Sequence, residues 1–254
     1  MSALETRQLA ELTFREVSRS LRALSSTYVE RRGRLGEGAA LSGAGKRAAF
    51  ALFYGPLHYA LIRAIVQALP GAIDRSGVLI DLGCGTGAAG AAWAAACDRP
   101  PSIFGVDRHA WAIGEAAWTY RQFGLAARTR QDDVTRVTLP DSPSLILAAF
   151  TLNELADAAR DTVLRRLFER AAAGDRVLIV EPLARAVAPW WNRWQREAVA
   201  SGGRGDEWRF RLELPAIVTK LDRAAGLNHR EVTARSLWLG APRPTRAGDR
   251  PASS

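Results

Sequence analysis

The stretch VLIDLGCGTGAAGAAWA, residues 78–94, decides how this chain is read. Apolar residues lead from Val78 into an acid, Asp81. Gly83, Gly85 and Gly87 follow, and small residues at helical spacing come after them. A buried strand, a tight turn and a helix account for this order. Glycines at such a turn let the backbone pass close to a ligand with no Cβ between them. The free N–H groups of the following helix then point at the same place.

Outward from this turn the pattern alternates. Strands are expected at 78–82, 102–106, 126–130, 144–150 and 176–181, and helices at 87–97, 110–123 and 157–172. Such alternation predicts a doubly wound, mostly parallel α/β sheet. PAIVTKLDRAAGL (215–227) reads as one more helix and HREVTARSLWLG (229–240) as one or two closing strands. On the other side, 4–30 reads as one amphipathic helix, RRGRLGEGAALSGAG (31–45) as a Gly-rich loop, and 46–70 as a helix broken near Gly55-Pro56. The organisation expected is therefore an N-terminal helical module (1–70), an α/β domain (71–240) with a lid or insertion at about 182–214, and a disordered tail (241–254).

Two ligand classes use a turn of this kind. Gly85, Gly87 and Gly90 fit G-x-G-x-x-G, with Asp107 placed 20 residues beyond Gly87, which suits a dinucleotide. A strand that ends in an acid and runs into Gly-x-Gly-x-Gly suits S-adenosylmethionine, with Asp81 orienting the turn or meeting the amino-acid ammonium.

VLIDLGCGTG resembles the first motif of class I S-adenosylmethionine-dependent methyltransferases. IFGVDR, RQDDVTRVTLP, SLILAAFTLNEL and AAAGDRVLIVEP are similar to that family's second to fifth strand motifs, in order. The resemblance implies a seven-stranded Rossmann-like methyltransferase sheet with S-adenosylmethionine as cofactor. It also implies a cofactor site of Asp81, Gly83, Cys84, Gly85, Gly87, Asp107, Arg108, Asp132, Asp133, Val134 and Phe150. Within that set Asp107 meets the ribose hydroxyls, and Asp133, or Asp132 beside it, meets the adenine. A narrower resemblance, carried by GKRAAFALFYGPLHY, AAFTLNEL and VLIVEP, is to methyltransferase-like proteins that accompany the small ribosomal subunit. Members of that family often carry cysteines for an iron–sulfur cluster. This chain has two cysteines, Cys84 and Cys97, so no cluster is implied.

Methyl transfer from a sulfonium needs position and electrostatics more than a catalytic triad, and a base only where the acceptor must lose a proton. Asn153 and Glu154, just past the fourth strand, are the expected catalytic residues: Asn153 to align the acceptor, Glu154 to take a proton or hold a cation. Glu154 in the first turn of a helix would equally favour the helix dipole. Tyr54, His58 and Glu181 are candidate acceptor contacts. PWWNRWQREAVASGGRGDEWRFRLELP (189–215) interleaves tryptophans with arginines, and Trp190, Trp194, Arg193 and Arg196 are expected to bind substrate there by stacking and phosphate contact. The same tryptophans can instead pack on the sheet. His58, His109 and His229 have no metal-ligand spacing, so no metal is expected.

Charge bears on the partner. Residues 1–77 carry 11 basic and 6 acidic side chains, 78–181 carry 11 and 13, and 182–254 carry 13 and 7. Basic flanks around a mildly acidic centre suggest ribosomal RNA or the small ribosomal subunit as partner, although 33 of the 35 cations are arginine, as genome composition alone can produce. A small-molecule acceptor and a non-catalytic assembly factor that keeps the cofactor fold are the alternatives. No apolar run long enough to span a membrane is expected, and none resembling a secretion signal is seen at the N-terminus, so a cytoplasmic protein is expected.

Overall fold

The computed structural model describes residues 1–30, 41–73, 77–141, 143–184, 188–229 and 231–240. The expected tail at 241–254 and most of the Gly-rich loop at 31–45 lie outside them. In chain order the elements are α1 (Ser2–Gln8), α2 (Phe14–Glu30), α3 (Ala44–Ala49), a π-helical turn (Phe50–Tyr54), α4 (Gly55–Ala68), β1 (Val78–Leu82), α5 (Ala88–Ala96), β2 (Ser102–Asp107), α6 (Ala110–Gln122), β3 (Ala127–Gln131), β4 (Leu145–Ala149), a 3-10 turn (Leu152–Glu154), α7 (Asp157–Ala172), β5 (Arg176–Glu181), α8 (Trp191–Ala200), β6 (Arg204–Phe210), α9 (Ala216–Ala225) and β7 (Val232–Leu239).

The seven strands form one sheet in the order β3-β2-β1-β4-β5-β7-β6. β1 to β5 pair in parallel, and β7 runs antiparallel between β5 and β6. The central strands are apolar on both faces because helices cover both. Leu79, Leu145, Leu147, Leu178 and Val180 pack with α2, α4, α5 and α9, while Ile80, Ile146, Ala148, Val177 and Ile179 pack with α7 and α8. Val17, Leu21 and Leu24 of α2 belong to the first of these clusters, so the N-terminal helices share a core with the sheet.

Four expectations are corrected. The helix at 4–30 is two helices. Thr13 begins the second: Glu16 N–H donates to its hydroxyl, while its own N–H and hydroxyl donate to the Glu16 carboxylate, a capping box that ends one run and starts another. The 46–70 helix is not broken at Gly55-Pro56. A π turn at Phe50–Tyr54 passes directly into α4, with Pro56 in its first turn, where a missing N–H costs little. Taken whole, Ala44–Ala68 is long and apolar enough to cross a membrane, contrary to the expectation that no run is, and most of it is buried inside this fold. Finally, 182–214 is not a separate lid. It supplies α8 and then β6, the outer strand of the sheet, and the closing 229–240 region gives a single strand, β7.

Candidate functional site

The order of the sheet reverses between β1, which runs outward to β2 and β3, and β4, which runs outward to β5 and β7. At the carboxyl edge of such a sheet this reversal opens a crevice. A cavity of about 680 Å³ occupies it. The loops after β1, β2, β3, β4 and β5 line it, together with the start of β7 and the π turn and α4 from the N-terminal side.

The glycine turn forms one wall. Gly85 (φ +53) is the glycine whose Cβ would point towards the cavity: its nearest neighbour would be the Phe50 ring at 3.5 Å. Gly83 and Gly87 also have positive φ, but a Cβ there would strike the Thr151 side chain or Tyr120. Gly90 leaves room for a carboxylate, since a Cβ would collide with Asp81 Oδ2. Gly83, Gly87 and Gly90 therefore serve packing, and Gly85 serves close approach.

Asp81 does not reach the cavity. Its carboxylate is 1% exposed and accepts from Gly90 N–H at 3.1 Å and the Tyr120 hydroxyl at 2.9 Å. Burial raises its pKa to about 7, against the pull of those two donors. Of the two roles expected for it, orienting the turn is the one its position allows. Cys84 lines the cavity from within the turn, and burial first, then the negative Asp81 and Asp107, raise its thiol pKa well above the usual value.

Asp107 closes β2 and does line the cavity. Its Oδ2 accepts from Gly85 N–H at 2.9 Å and its Oδ1 from His109 N–H at 2.8 Å, so it ties the glycine turn to the start of α6. Arg108 lines the cavity beside it. After β3, Asp132 is committed to the loop: Arg130 pairs with Oδ2 at 2.9 Å and Asp133 N–H donates to Oδ1 at 2.8 Å. Asp133 accepts both bonds of Thr135 on Oδ1, and its pKa is lowered chiefly by them. Val134 and Thr135 line the same wall.

The other wall begins at Phe150, which has φ +58, a conformation a bulky residue adopts at a cost. It stacks on His58 with centroids 4.2 Å apart and 18° between planes. Burial lowers the His58 pKa to about 4, so the ring is neutral at pH 7. Tyr54 and Phe50 lie about one and two turns back along the same helical run and meet His58 at 6.0 and 6.2 Å, and burial raises the Tyr54 pKa.

Asn153 and Glu154 both line the cavity. Asn153 Oδ1 is buried with no partner among the described residues. Burial raises the Glu154 pKa to about 7; Arg108 opposes that shift and Asp107 adds to it. Glu181 lies beneath the cavity instead of in its lining. It is fully buried, and Oε1 accepts from Leu152 N–H at 2.9 Å and Asn153 N–H at 3.3 Å. Burial raises its pKa to about 8 against those bonds. Its position fits holding the turn that presents Asn153 and Glu154.

The residues expected to bind substrate from 189–215 are elsewhere. Trp194 is buried against α7, 5.3 Å from Phe168, and donates to Asp161 at 3.3 Å. Trp190 lies under Arg160 at 4.9 Å. Arg193 points out beside Asp161 at 3.7 Å, and neither it nor Arg196 is among the lining residues. Trp190, which caps α8, and Trp194 within it both pack toward α7, which leaves Arg193 and Arg196 outside.

Several residues at the cavity had no assigned role in the sequence, and one of them is held in a specific way. His229 lines it just before β7, held by Asp222 seven residues earlier. Only the fold shows this contact, although a His and an Asp around the Gly226 helix stop were visible.

Residues 79–174 match a family model described as a methyltransferase domain. No curated protein matches the chain by sequence. Among solved structures the chain is similar to a protein from work titled "Conversion of a Disulfide Bond into a Thioacetal Group during Echinomycin Biosynthesis", at 17% identity over 70% of this chain and 81% of that one, with a TM-score of 0.50. It is also similar to a SAM dependent methyltransferase from Aquifex aeolicus (13% identity, 72% and 90% covered, TM-score 0.49) and to the N-methyltransferase NodS from Bradyrhizobium japonicum, solved with S-adenosyl-l-homocysteine (16% identity, 72% and 86% covered, TM-score 0.46). At these identities the likeness is one of fold.

Proposed function

We propose that this chain is a class I, S-adenosylmethionine-dependent methyltransferase, a reading supported by the match of residues 79–174 to a methyltransferase domain, and that its acceptor is a small organic molecule rather than RNA. The residues present fit the cofactor. Gly85 leaves the approach open, and Asp107, Asp133 and Val134 line the cavity, where Asp107 would meet the ribose and Asp133 and Val134 the base. The cofactor, when bound, supplies a methyl group activated by a sulfonium charge.

The observation that carries the choice of acceptor is the charge of the cavity. Its described lining holds five carboxylates, Asp107, Asp132, Asp133, Glu154 and Glu231, and one arginine, Arg108. Such a cavity favours cations and neutral groups and disfavours phosphates. Its acceptor side is apolar and aromatic, from Phe50, Tyr54, Leu57, His58, Leu61 and Phe150, which matches the lining of small-molecule sites. The arginine-rich stretch that suggested RNA stands away from it. Asn153 would align the acceptor through the buried Oδ1, and Glu154, with a pKa of about 7, would accept a proton or hold a cationic group.

The test is methyl transfer from radiolabelled S-adenosylmethionine, run in parallel with a low-molecular-weight cell extract and with purified small-subunit ribosomal RNA. Label in the small-molecule fraction is expected. Label in the RNA alone would overturn the choice of acceptor.

A further inference from the structure

The acceptor side of the cavity contains a histidine clamped by a carboxylate. His229 Nδ1 lies 2.5 Å from Asp222 Oδ1, and His229 N–H donates to Asp222 Oδ2 at 3.1 Å. One carboxylate thus fixes both the backbone and the ring. Asp222 sits in the last turn of α9, and Gly226 in the left-handed conformation (φ +73) turns the chain back so that His229 can meet it. Phe53 packs edge-on against the ring at 5.3 Å. With Nδ1 engaged by Asp222, Nε2 is the ring nitrogen left to face the cavity that His229 lines.

The place of this pair in the sheet is informative. Glu181 at the end of β5 is opposite Arg235 of β7, so the segment just before β7 stands over the β4–β5–β7 side. The cofactor walls belong to β1, β2 and β3. His229 is therefore on the acceptor side, with Pro182, Glu231, Val232 and Thr233.

We infer that His229, positioned by Asp222, is a general base toward the acceptor, and that the acceptor is a neutral hydroxyl compound of phenol or enol type that must lose its proton. This rests on the small-molecule reading above. Nε2 takes the proton from the acceptor oxygen as that oxygen forms its bond to the methyl carbon. The electron pair of the broken carbon–sulfur bond stays on sulfur. The imidazolium is stabilised by the Asp222 carboxylate and returns its proton to solvent, the arrangement by which a carboxylate supports a histidine base elsewhere. His58 is poorly suited to this role, being stacked on Phe150 and so buried that the imidazolium it would have to form is disfavoured. Asp222 on α9 holds the His229 ring, and the titratable groups that share the acceptor side of the cavity lining with it are Tyr54, His58, Glu154 and Glu231.

The experiment uses the full chain, a panel of phenols each paired with its methyl ether, and His229→Asn, Asp222→Asn and Glu154→Gln variants. S-adenosylhomocysteine affinity is measured first by calorimetry. The parent is expected to methylate at least one phenol. His229→Asn should bind S-adenosylhomocysteine like the parent and lose roughly 10²–10⁴-fold in kcat. Asp222→Asn should lose less. In both variants the deficit should shrink as pH approaches the pKa of the phenol, because an acceptor already ionised needs no base. A pH-independent deficit, parent-like turnover in His229→Asn, or a deficit with this pH dependence in Glu154→Gln alone would overturn the assignment. So would label that enters only amines or thioethers, since the hydroxyl class would then be wrong. Failure of the parent to bind S-adenosylhomocysteine would instead remove the reading on which the inference rests.

Discussion

The two halves of the cavity are built differently. On the β1–β2–β3 side nearly every polar group is bonded to a neighbour a short distance away in sequence or across one strand pair. Asp107 holds Gly85 and His109, Asp132 holds Asp133, and Asp133 holds Thr135. On the β4–β5–β7 side the groups come from positions near 54, 58, 153 and 181 and depend on burial, with His229, held by Asp222, the exception. His58 is stacked, Asn153 Oδ1 has no partner among the described residues, and Glu154 and Glu181 have raised pKa values. A side shaped by local hydrogen bonds is suited to one fixed ligand. A side shaped by packing of distant segments can change its specificity by small substitutions.

The largest expected effect concerns the buried acids, chiefly those on the second side, with Asp81 on the first side, raised to about 7, adding to it in the same direction. The folded-state pKa of Glu181 is about 8 and that of Glu154 about 7, both above the ordinary carboxylate value near 4.3. Between those limits the folded state holds more protons than the unfolded state, so stability falls as pH rises. The slope for Glu181 is on the order of 1 kcal/mol per pH unit. Denaturant melts at pH 5.5 and 7.5 should show the loss, and Glu181→Gln should flatten it. Equal slopes in parent and variant would break the contrast between the halves.

On the first side, Gly90→Val would drive side-chain atoms into Asp81 and bring them near the Tyr120 hydroxyl. Overpacking of this kind costs about 1–3 kcal/mol, measurable as a lower denaturation midpoint with an unchanged slope. Full stability in the variant would mean that Asp81 does not fill the space beneath the turn.

How much of each half could be read in the sequence follows from the same contrast. Asp107 and the glycine turn stand directly after strands whose apolar runs are plain, so position in the motif gave position in space; Asp132 and Asp133 follow β3, ARTRQ, which has no apolar run, and were placed by the resemblance. The borders of β1 and β5 followed from those runs as well, whereas the order of strands in the sheet did not. β6 was missed because RGDEWRF is a half-exposed edge strand without an apolar run. His229 drew no role because its meaning depends on Asp222 and on the antiparallel placement of β7. Arg193 and Arg196 were assigned to substrate from composition, which carries no information about which face of α8 meets the sheet. Thr13 and Glu16, by contrast, were a legible capping signal that the apolar stripe through Leu9 and Leu12 obscured.

The smallest effect is expected outside both halves. Arg193 is 71% exposed in its side chain, beside Asp161. An exposed pair of this kind contributes about 0–1 kcal/mol. An Arg193→Ala/Arg196→Ala double variant should keep the parent's cofactor affinity and turnover on a small acceptor. A loss of turnover would bring α8 back into the acceptor site and sharpen where that site ends.

The central claim is that the β1–β3 side, tied together through Asp107, receives S-adenosylmethionine. Calorimetric titration with S-adenosylhomocysteine and with NAD, on the parent, Asp107→Ala and Asn153→Ala, tests it most directly. S-adenosylhomocysteine should bind the parent and Asn153→Ala alike, Asp107→Ala should weaken it by about 1–3 kcal/mol, and NAD should give no heat of binding. Binding of NAD, or an affinity for S-adenosylhomocysteine that Asp107→Ala leaves unchanged, would contradict the account.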